Sequence, residues 1–170
     1  MIFVVALASL AFTTGEAGQR VSPHESTTGV IDGARVTITY GRPSMRGRRI
    51  MGALVEYGED WTPGADEATT LETSRALRIS DVPVPEGRYS VWMRPTAQAW
   101  TMFLNKNADL FHTDTRNRPN DLGAIALQKR TLDRPVEQLT FTIEQNPSGT
   151  GGAIKMAWET TEVSVAITVQ

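Results

Sequence analysis

The chain has 170 residues, of which 40% are hydrophobic and 21% are charged, a composition typical of a single globular domain. Its formal net charge of -2 argues against a nucleic-acid-binding surface, which normally carries a basic excess. Because the sequence contains no cysteine, disulfides, thiolate metal sites and cysteine nucleophiles are excluded. Its two histidines are not close in sequence, so we predict neither a metal site nor a cofactor.

The N-terminus begins with an apolar run, Ile2–Phe12. This run is too short to span a bilayer and has the character of the hydrophobic region of a signal peptide; a first β-strand is the alternative. We expect residues 1–17 to be a signal peptide, 18–26 a flexible lead-in and 27–170 one β-sandwich domain. The protein would then be exported, periplasmic or extracellular, with no membrane span after signal removal.

The next segment is predicted to be a β-hairpin, with Thr27–Ile31 and Arg35–Tyr40 as its strands. The dipeptide Asp32-Gly33 lies between them and is favoured in two-residue hairpin turns, because both central positions need positive φ. In the second strand apolar and polar residues alternate, which predicts one buried face.

Further strands are predicted wherever apolar and polar residues alternate between turn-forming residues. They cover residues 68–73, 76–79, 88–94, 100–104, 122–128, 136–145, 153–159 and 162–169. Pro83 and Pro85 indicate an edge or crossing segment, since proline cannot donate to a ladder. Residues 105–121 form the longest polar loop, which in a compact domain is functional or mobile. We predict an all-β, antiparallel β-sandwich or jelly roll.

One stretch departs from this pattern, the sequence YGRPSMRGRRIMGALVEYGEDWTPGADEATT from Tyr40 to Thr70. It does not alternate like a strand, and its glycines and prolines oppose a helix, so we predict a long irregular crossover segment over about residues 41–67. Four arginines open it: Arg42, Arg46, Arg48 and Arg49. An apolar middle follows, which we expect to dock onto the core: Ile50, Met51, Leu54, Val55 and Tyr57.

This stretch and three later blocks, PVPEGRYSVW, WTMFLNK and AWETTEVSVAI, resemble the domain of unknown function 2911 family, in the same order. The resemblance covers Val21 to the C-terminus. It implies an exported bacterial β-sandwich protein, and it implies no activity.

Within the stretch, the positions that match the family pattern are Tyr40, Arg42, Pro43, Gly47, Arg48, Ile50, Gly52, Leu54, Tyr57, Gly58, Trp61, Gly64, Ala65, Glu67, Ala68 and Thr69. Two positions depart from it. Where the pattern reads Trp-Arg-x-Gly-Ala-Asn, this chain has Thr62 in place of the arginine and Asp66 in place of the asparagine. An anion site that depended on that arginine would be altered here.

The preferred functional hypothesis is a non-catalytic binding module for a small polar or anionic ligand, a carbohydrate or a peptide. The predicted binding residues are Tyr40, Arg42, Arg48, Trp61, Asp66 and Glu67. The two arginines would donate bidentate hydrogen bonds, and the tryptophan would supply a flat face. The carboxylates would orient the ligand and balance charge.

Two alternatives stay open. A hydrolase would use Glu67 or Asp66 as general base, with Arg48 stabilising negative charge. Adjacent carboxylates point to opposite faces of an extended segment, however, and no catalytic constellation is complete. In the second alternative the crossover segment is an internal staple. Its arginines would then pair with acids of the same stretch: Glu56, Glu59, Asp60, Asp66 and Glu67.

Overall fold

The computed structural model describes residues 22–170, so the predicted signal peptide lies outside the described residues. Its strands are β1 His24–Ile31, β2 Ala34–Gly41, β3 Thr70–Thr73, β4 Leu77–Ile79, β5 Val82–Val84, β6 Gly87–Pro95, β7 Trp100–Asn105, β8 Asp121–Gln145 and β9 Gly152–Val169. One turn of 3-10 helix covers Arg118–Asn120. The all-β prediction is confirmed: the strands form one antiparallel sheet in the order β1-β2-β3-β6-β7-β8-β9-β4-β5.

The first hairpin forms as predicted. Ile31 pairs with Ala34 across the turn, and Asp32 and Gly33 have φ values of 47° and 81°. β1 begins at His24, so the last residues assigned to the lead-in already belong to the sheet. Of the two possibilities for the proline segment, the edge is confirmed for Pro83, because strand β5 ends the sheet; Pro85 directly follows that strand.

The predicted breaks at residues 129–135 and 160–161 are wrong, because β8 and β9 each run through them as one long strand. The buried positions of β9 change from even to odd numbers between Trp158 and Val163. With a side-chain period of two, this change requires an irregularity in the strand, a β-bulge. It lies at Glu159, which has φ of 54°; there the pairing shifts register, and residues 132–135 of β8 lie opposite residue 160 of β9 alone.

The core lies where the two halves of the sheet face each other, which agrees with the predicted sandwich. β8 belongs to both halves, since its first part pairs with β7 and its second part with β9. The ring of Tyr40 on β2 meets the ring of Phe141 on β8 edge-on, with centroids 4.9 Å apart. The Phe141 N–H donates to the Tyr40 hydroxyl at 3.1 Å, so this contact joins the halves by packing and by a hydrogen bond.

The polar loop between β7 and β8 packs against the outer face of the sheet. Side chains alternate along a strand, and Val91 and Met93 of β6 point into the core, so Trp92 points outward. Trp92 is nevertheless only 2% exposed. The loop covers part of this face: the guanidinium carbon of its Arg116 lies 3.7 Å from the centroid of the neighbouring Phe103 ring. Among residues 22–170 no helix has the length and apolar character needed to cross a membrane.

Candidate functional site

The crossover segment runs from residue 42 to residue 69, and its first part lies beside β8 like a short extra strand. The N–H of Met45 donates to the Glu137 carbonyl at 2.8 Å, and the Leu139 N–H donates to the Pro43 carbonyl at 3.0 Å. Sequence alternation could not reveal this pairing, because the stretch has no strand pattern of its own. The pairing fixes residues 43–45 against the sheet.

Arg42 acts as a staple rather than as a ligand donor. Its Nε donates to the Leu139 carbonyl at 3.1 Å, and one terminal nitrogen donates to the Thr140 hydroxyl at 2.9 Å. The other terminal nitrogen reaches both carboxylate oxygens of Glu25, each at 3.1 Å. Arg42 thus holds the segment to β1 and β8, but its acid partner is Glu25 of β1 and not one of the acids predicted within the crossover segment.

The predicted docking of the apolar middle is confirmed for three residues and wrong for two. Ile50, Met51 and Val55 are at most 5% exposed and belong to the core. Leu54 and Tyr57, by contrast, are 51% and 41% exposed. The middle therefore buries one side and presents the other to solvent.

A carboxylate from the β9 bulge holds this middle in place. The two side-chain oxygens of Glu159 accept the N–H groups of Ile50 and Met51, at 3.3 and 3.0 Å. These donors lie in a turn, where no ladder partner exists, so a side chain must satisfy them. Sequence reasoning missed this role, because nothing in residues 153–162 indicates which segment will lie opposite them.

Trp61 is tied to the sheet through its backbone. It exchanges two hydrogen bonds with Met93, at 2.8 and 2.7 Å, as an isolated antiparallel bridge. Its ring stacks on that of Trp158, with centroids 6.2 Å apart and an interplanar angle of 16°, and meets Trp100 edge-on at 6.3 Å. Both partners are buried, whereas Trp61 is half-buried. Trp61 thus anchors the crossover segment, while part of the tryptophan surface remains accessible.

That surface forms part of a cavity of about 400 Å³, which we call the tryptophan cavity. It lies between the crossover segment, β9 and the 106–120 loop. Its walls are Ser22, Pro43, Ser44, Arg46, Arg48, Leu54, Val55, Trp61, Gly64, Ala65, His112 and Trp158. They combine two guanidinium groups and an imidazole with aromatic and aliphatic surface. No carboxylate of residues 22–170 is among them.

A tight turn orients Arg48 in this wall. Arg46 and Gly47 both have positive φ, 50° and 71°, and the Arg48 N–H donates to the Met45 carbonyl at 3.0 Å, as in a type I′ turn. The Arg48 side chain folds back over the turn: Nε donates to the Met45 carbonyl at 3.0 Å and a terminal nitrogen to the Ser44 carbonyl at 2.9 Å. Both acceptors are neutral, so these bonds fix the guanidinium without neutralising its charge.

The predicted carboxylates lie outside the cavity wall, close to a histidine. Nε2 of His24 is 3.0 Å from a Glu67 oxygen and 3.6 Å from an Asp66 oxygen. Asp66 has φ of 63°, and its carbonyl accepts the backbone N–H of His112 at 2.8 Å. Within the described part of the chain, no three His, Cys, Asp or Glu side chains are grouped as a metal site would require.

Of the predicted binding residues, the structure brings only Arg48 and Trp61 together in the cavity. Tyr40 is in the core, Arg42 is the staple, and the two carboxylates lie beside the cavity with His24. Sequence reasoning did not assign Trp158 to the site. Its position in an alternating strand predicted burial, but not that the crossover segment would cover it.

The sheet and the tryptophan cavity define an all-β protein with a cavity of small-molecule size that has two arginines in its wall. A family model described as "Protein of unknown function (DUF2911)" matches residues 22–167. The chain belongs to this family, which confirms the resemblance seen in the sequence. No curated protein and no solved structure matches the chain.

Proposed function

We propose that this protein is a non-catalytic binding module whose tryptophan cavity takes a small anionic ligand with a flat or apolar face. The observation that carries the proposal is the cavity wall, where Arg48 stands beside Trp61 and Trp158 and no carboxylate of residues 22–170 is among the lining residues. The Arg48 guanidinium, whose hydrogen-bond acceptors are neutral carbonyls, favours an anion, and the indole surface favours an apolar ring or chain.

The size and rigidity of the cavity support the same proposal. A volume of about 400 Å³ lies in the range of sites for small ligands, which join apolar walls with a few placed polar groups. Arg48 is held by two hydrogen bonds before any ligand arrives. A pre-oriented guanidinium loses less conformational entropy on binding, so its hydrogen bond to an anion contributes more to affinity.

The hydrolase alternative has less support, because a general base must reach the substrate and neither Asp66 nor Glu67 lines the cavity. The staple alternative describes part of the same construction. Arg42 fixes the start of the crossover segment on β8, and that segment then forms one wall of the cavity. Stapling and binding are therefore complementary roles of residues 42–69.

Binding can be tested with benzoate, phenyl phosphate and neutral benzamide, followed by tryptophan fluorescence and isothermal titration calorimetry. We expect the two anions to bind and benzamide to bind at least tenfold more weakly, since it lacks the charge that the arginines recognise. Arg48→Gln should weaken the anions about tenfold, and Trp61→Leu should weaken all three compounds. Arg35→Gln, which removes an exposed arginine on β2 away from the cavity, is the matched control.

Equal affinity for benzamide and benzoate would contradict the anionic preference. Anion binding that survives unchanged in both Arg48→Gln and Trp61→Leu would contradict the location. Circular dichroism of each variant shows whether the fold is kept, so that a loss of binding is not a loss of structure.

We also propose that the protein works outside the cytoplasm, as the apolar N-terminal run predicts. N-terminal sequencing of the protein recovered from the periplasm or medium tests this. A mature chain that begins near residue 18 is expected, and an intact Met1 in that fraction would contradict cleavage.

A further inference from the structure

A second cavity lies on the outer face of the sheet, on the other side of the Trp61–Met93 bridge. We call it the arginine cavity; its volume is about 520 Å³. It opens between residues 58–60 of the crossover segment, the end of β6 and residues 114–118 of the loop. Its walls are Gly58, Glu59, Asp60, Trp92, Arg94, Asp114, Thr115, Arg116 and Arg118.

The floor of this cavity is a network of ion pairs centred on Asp60. One Asp60 oxygen is 2.6 Å from a terminal nitrogen of Arg94. The other accepts from Nε and a terminal nitrogen of Arg116, at 3.1 and 2.9 Å. Arg116 also donates to Asp121, and its side chain is only 2% exposed. The donors of Arg116 on this side are therefore used within the protein.

The other two arginines keep unused donors. Nε of Arg94 is buried and has no hydrogen-bond partner among the described residues, although the Arg94 side chain as a whole is a third exposed and lines the cavity. Arg118 is 69% exposed, and its nearest carboxylate oxygen, on Asp60, is 3.7 Å away, beyond hydrogen-bond distance. An unsatisfied donor at a cavity wall is stabilised when an acceptor reaches it.

Three arginines and four carboxylates surround the cavity, so its preference for an anion depends on placed donors and not on net charge. Arg94, Arg116 and Arg118 meet two carboxylates at its floor, those of Asp60 and Asp121. Two more acids stand in the wall, Glu59 and Asp114, and both are exposed to solvent. One carboxylate oxygen of Asp114 accepts the Phe111 N–H at 2.7 Å, and this hydrogen bond fixes its position. Solvent and salt screen these exposed acids and the exposed Arg118 alike, whereas the buried Nε of Arg94 has no hydrogen-bond acceptor among the described residues.

We propose that the arginine cavity binds an oxyanion, a phosphate, sulfate or carboxylate group, between the guanidinium groups of Arg94 and Arg118. Planar guanidinium groups match the oxygen spacing of such anions and donate charge-assisted hydrogen bonds to them. The hydroxyl of Thr115, in the same wall, is a further donor. This site is separate from the tryptophan cavity and does not depend on the function proposed for it.

Titration of the folded protein with inorganic phosphate, sulfate or acetate tests the proposal, at ionic strength held constant with sodium chloride. The readout is the NMR signal of the arginine Nε–H groups and of the Trp92 indole. We expect saturable shifts at Arg94 and Trp92. Arg118→Gln should raise the dissociation constant about tenfold, because it removes a charge-assisted partner while the exposed position tolerates the change. Arg130→Gln, an exposed arginine on β8, is the matched control and should leave the constant unchanged.

Saturation by phosphate and sulfate, by acetate, or by all three supports an oxyanion site, and the tightest of them identifies the preferred group. Shifts that grow linearly with concentration, or that are equal in Arg118→Gln and Arg130→Gln, overturn it. Arg48→Gln separates the two sites, since it should weaken binding in the tryptophan cavity and leave the Arg94 shifts intact. Either proposal can thus fail without the other.

Discussion

The substitution Arg116→Met tests how strongly the 106–120 loop is held to the crossover segment. Arg116 makes three charge-assisted hydrogen bonds to Asp60 and Asp121, whose side chains are 19% and 12% exposed. Removal of one partner of a buried ion pair costs about 3–5 kcal/mol, because the charges left behind stay partly desolvated. Asp60 keeps Arg94 at 2.6 Å, so we expect the lower end, about 3 kcal/mol.

Methionine is the substitution of choice, since it keeps an unbranched chain over the Phe103 ring, which Arg116 covers at 3.7 Å. Urea unfolding followed by tryptophan fluorescence measures the loss. In a double-mutant cycle, Asp121→Asn should cost at least about 1 kcal/mol less in the Arg116→Met background than in the natural protein. Arg130→Met removes a bidentate pair with Glu162 in which the arginine is 65% exposed, and it should lower the unfolding midpoint less than Arg116→Met does.

The reasoning would be refuted if Arg116→Met lost less than about 1 kcal/mol and added independently to Asp121→Asn, because both results together describe a solvated pair. A change in the slope of the unfolding curve would point to an altered unfolded or native ensemble, so the midpoint and slope are compared together.

Three further outcomes follow from the structure. Glu159→Ala should lower the free energy of unfolding by about 1–3 kcal/mol, since it leaves two turn N–H groups of the crossover segment without acceptors; an unchanged urea midpoint would contradict this. Gly41→Ala should lower the urea midpoint by an overpacking cost of about 1–3 kcal/mol, because the new methyl group would overlap the Ala65 carbonyl, and a neutral result would contradict that close approach. Burial raises the pKa of Tyr89 above its ordinary 10.0, so stability should be complete below about pH 10 and fall as the pH rises through the folded-state pKa. Tyr89→Phe should flatten this decline in alkaline urea titrations, whereas Tyr57→Phe, which removes an exposed phenol, should not.

The sequence by itself determined the strands and most of their faces. The Asp32-Gly33 turn needs positive φ at both positions, and only a tight hairpin uses such a pair between two alternating segments. The glycine- and proline-rich crossover segment was equally clear, because neither a helix nor a strand tolerates that composition. These features are local, so a window of ten residues contains the physical cause of each.

The bulge at Glu159 is a feature that local sequence alone could not predict. The change of parity in β9 is visible in the sequence and predicts two strands, where the structure has one strand with a bulge. Two strands and one bulged strand satisfy the same alternation. Only the pairing with β8 selects between them, because that ladder continues on both sides of the bulge.

The site itself was decided by tertiary structure. Sequence proximity suggested that the arginines of the crossover segment would pair with Asp60, yet Asp60 pairs with Arg116, 56 positions away. Sequence proximity also predicted that Tyr40 and Arg42 would line one site with Arg48. In the structure Tyr40 faces the core, and Arg42 is held by β1 and β8. Alternation reports which face of an element is apolar, but not which segment will cover it. Cavities and ion pairs form where distant segments meet, so the path of the whole chain determines them.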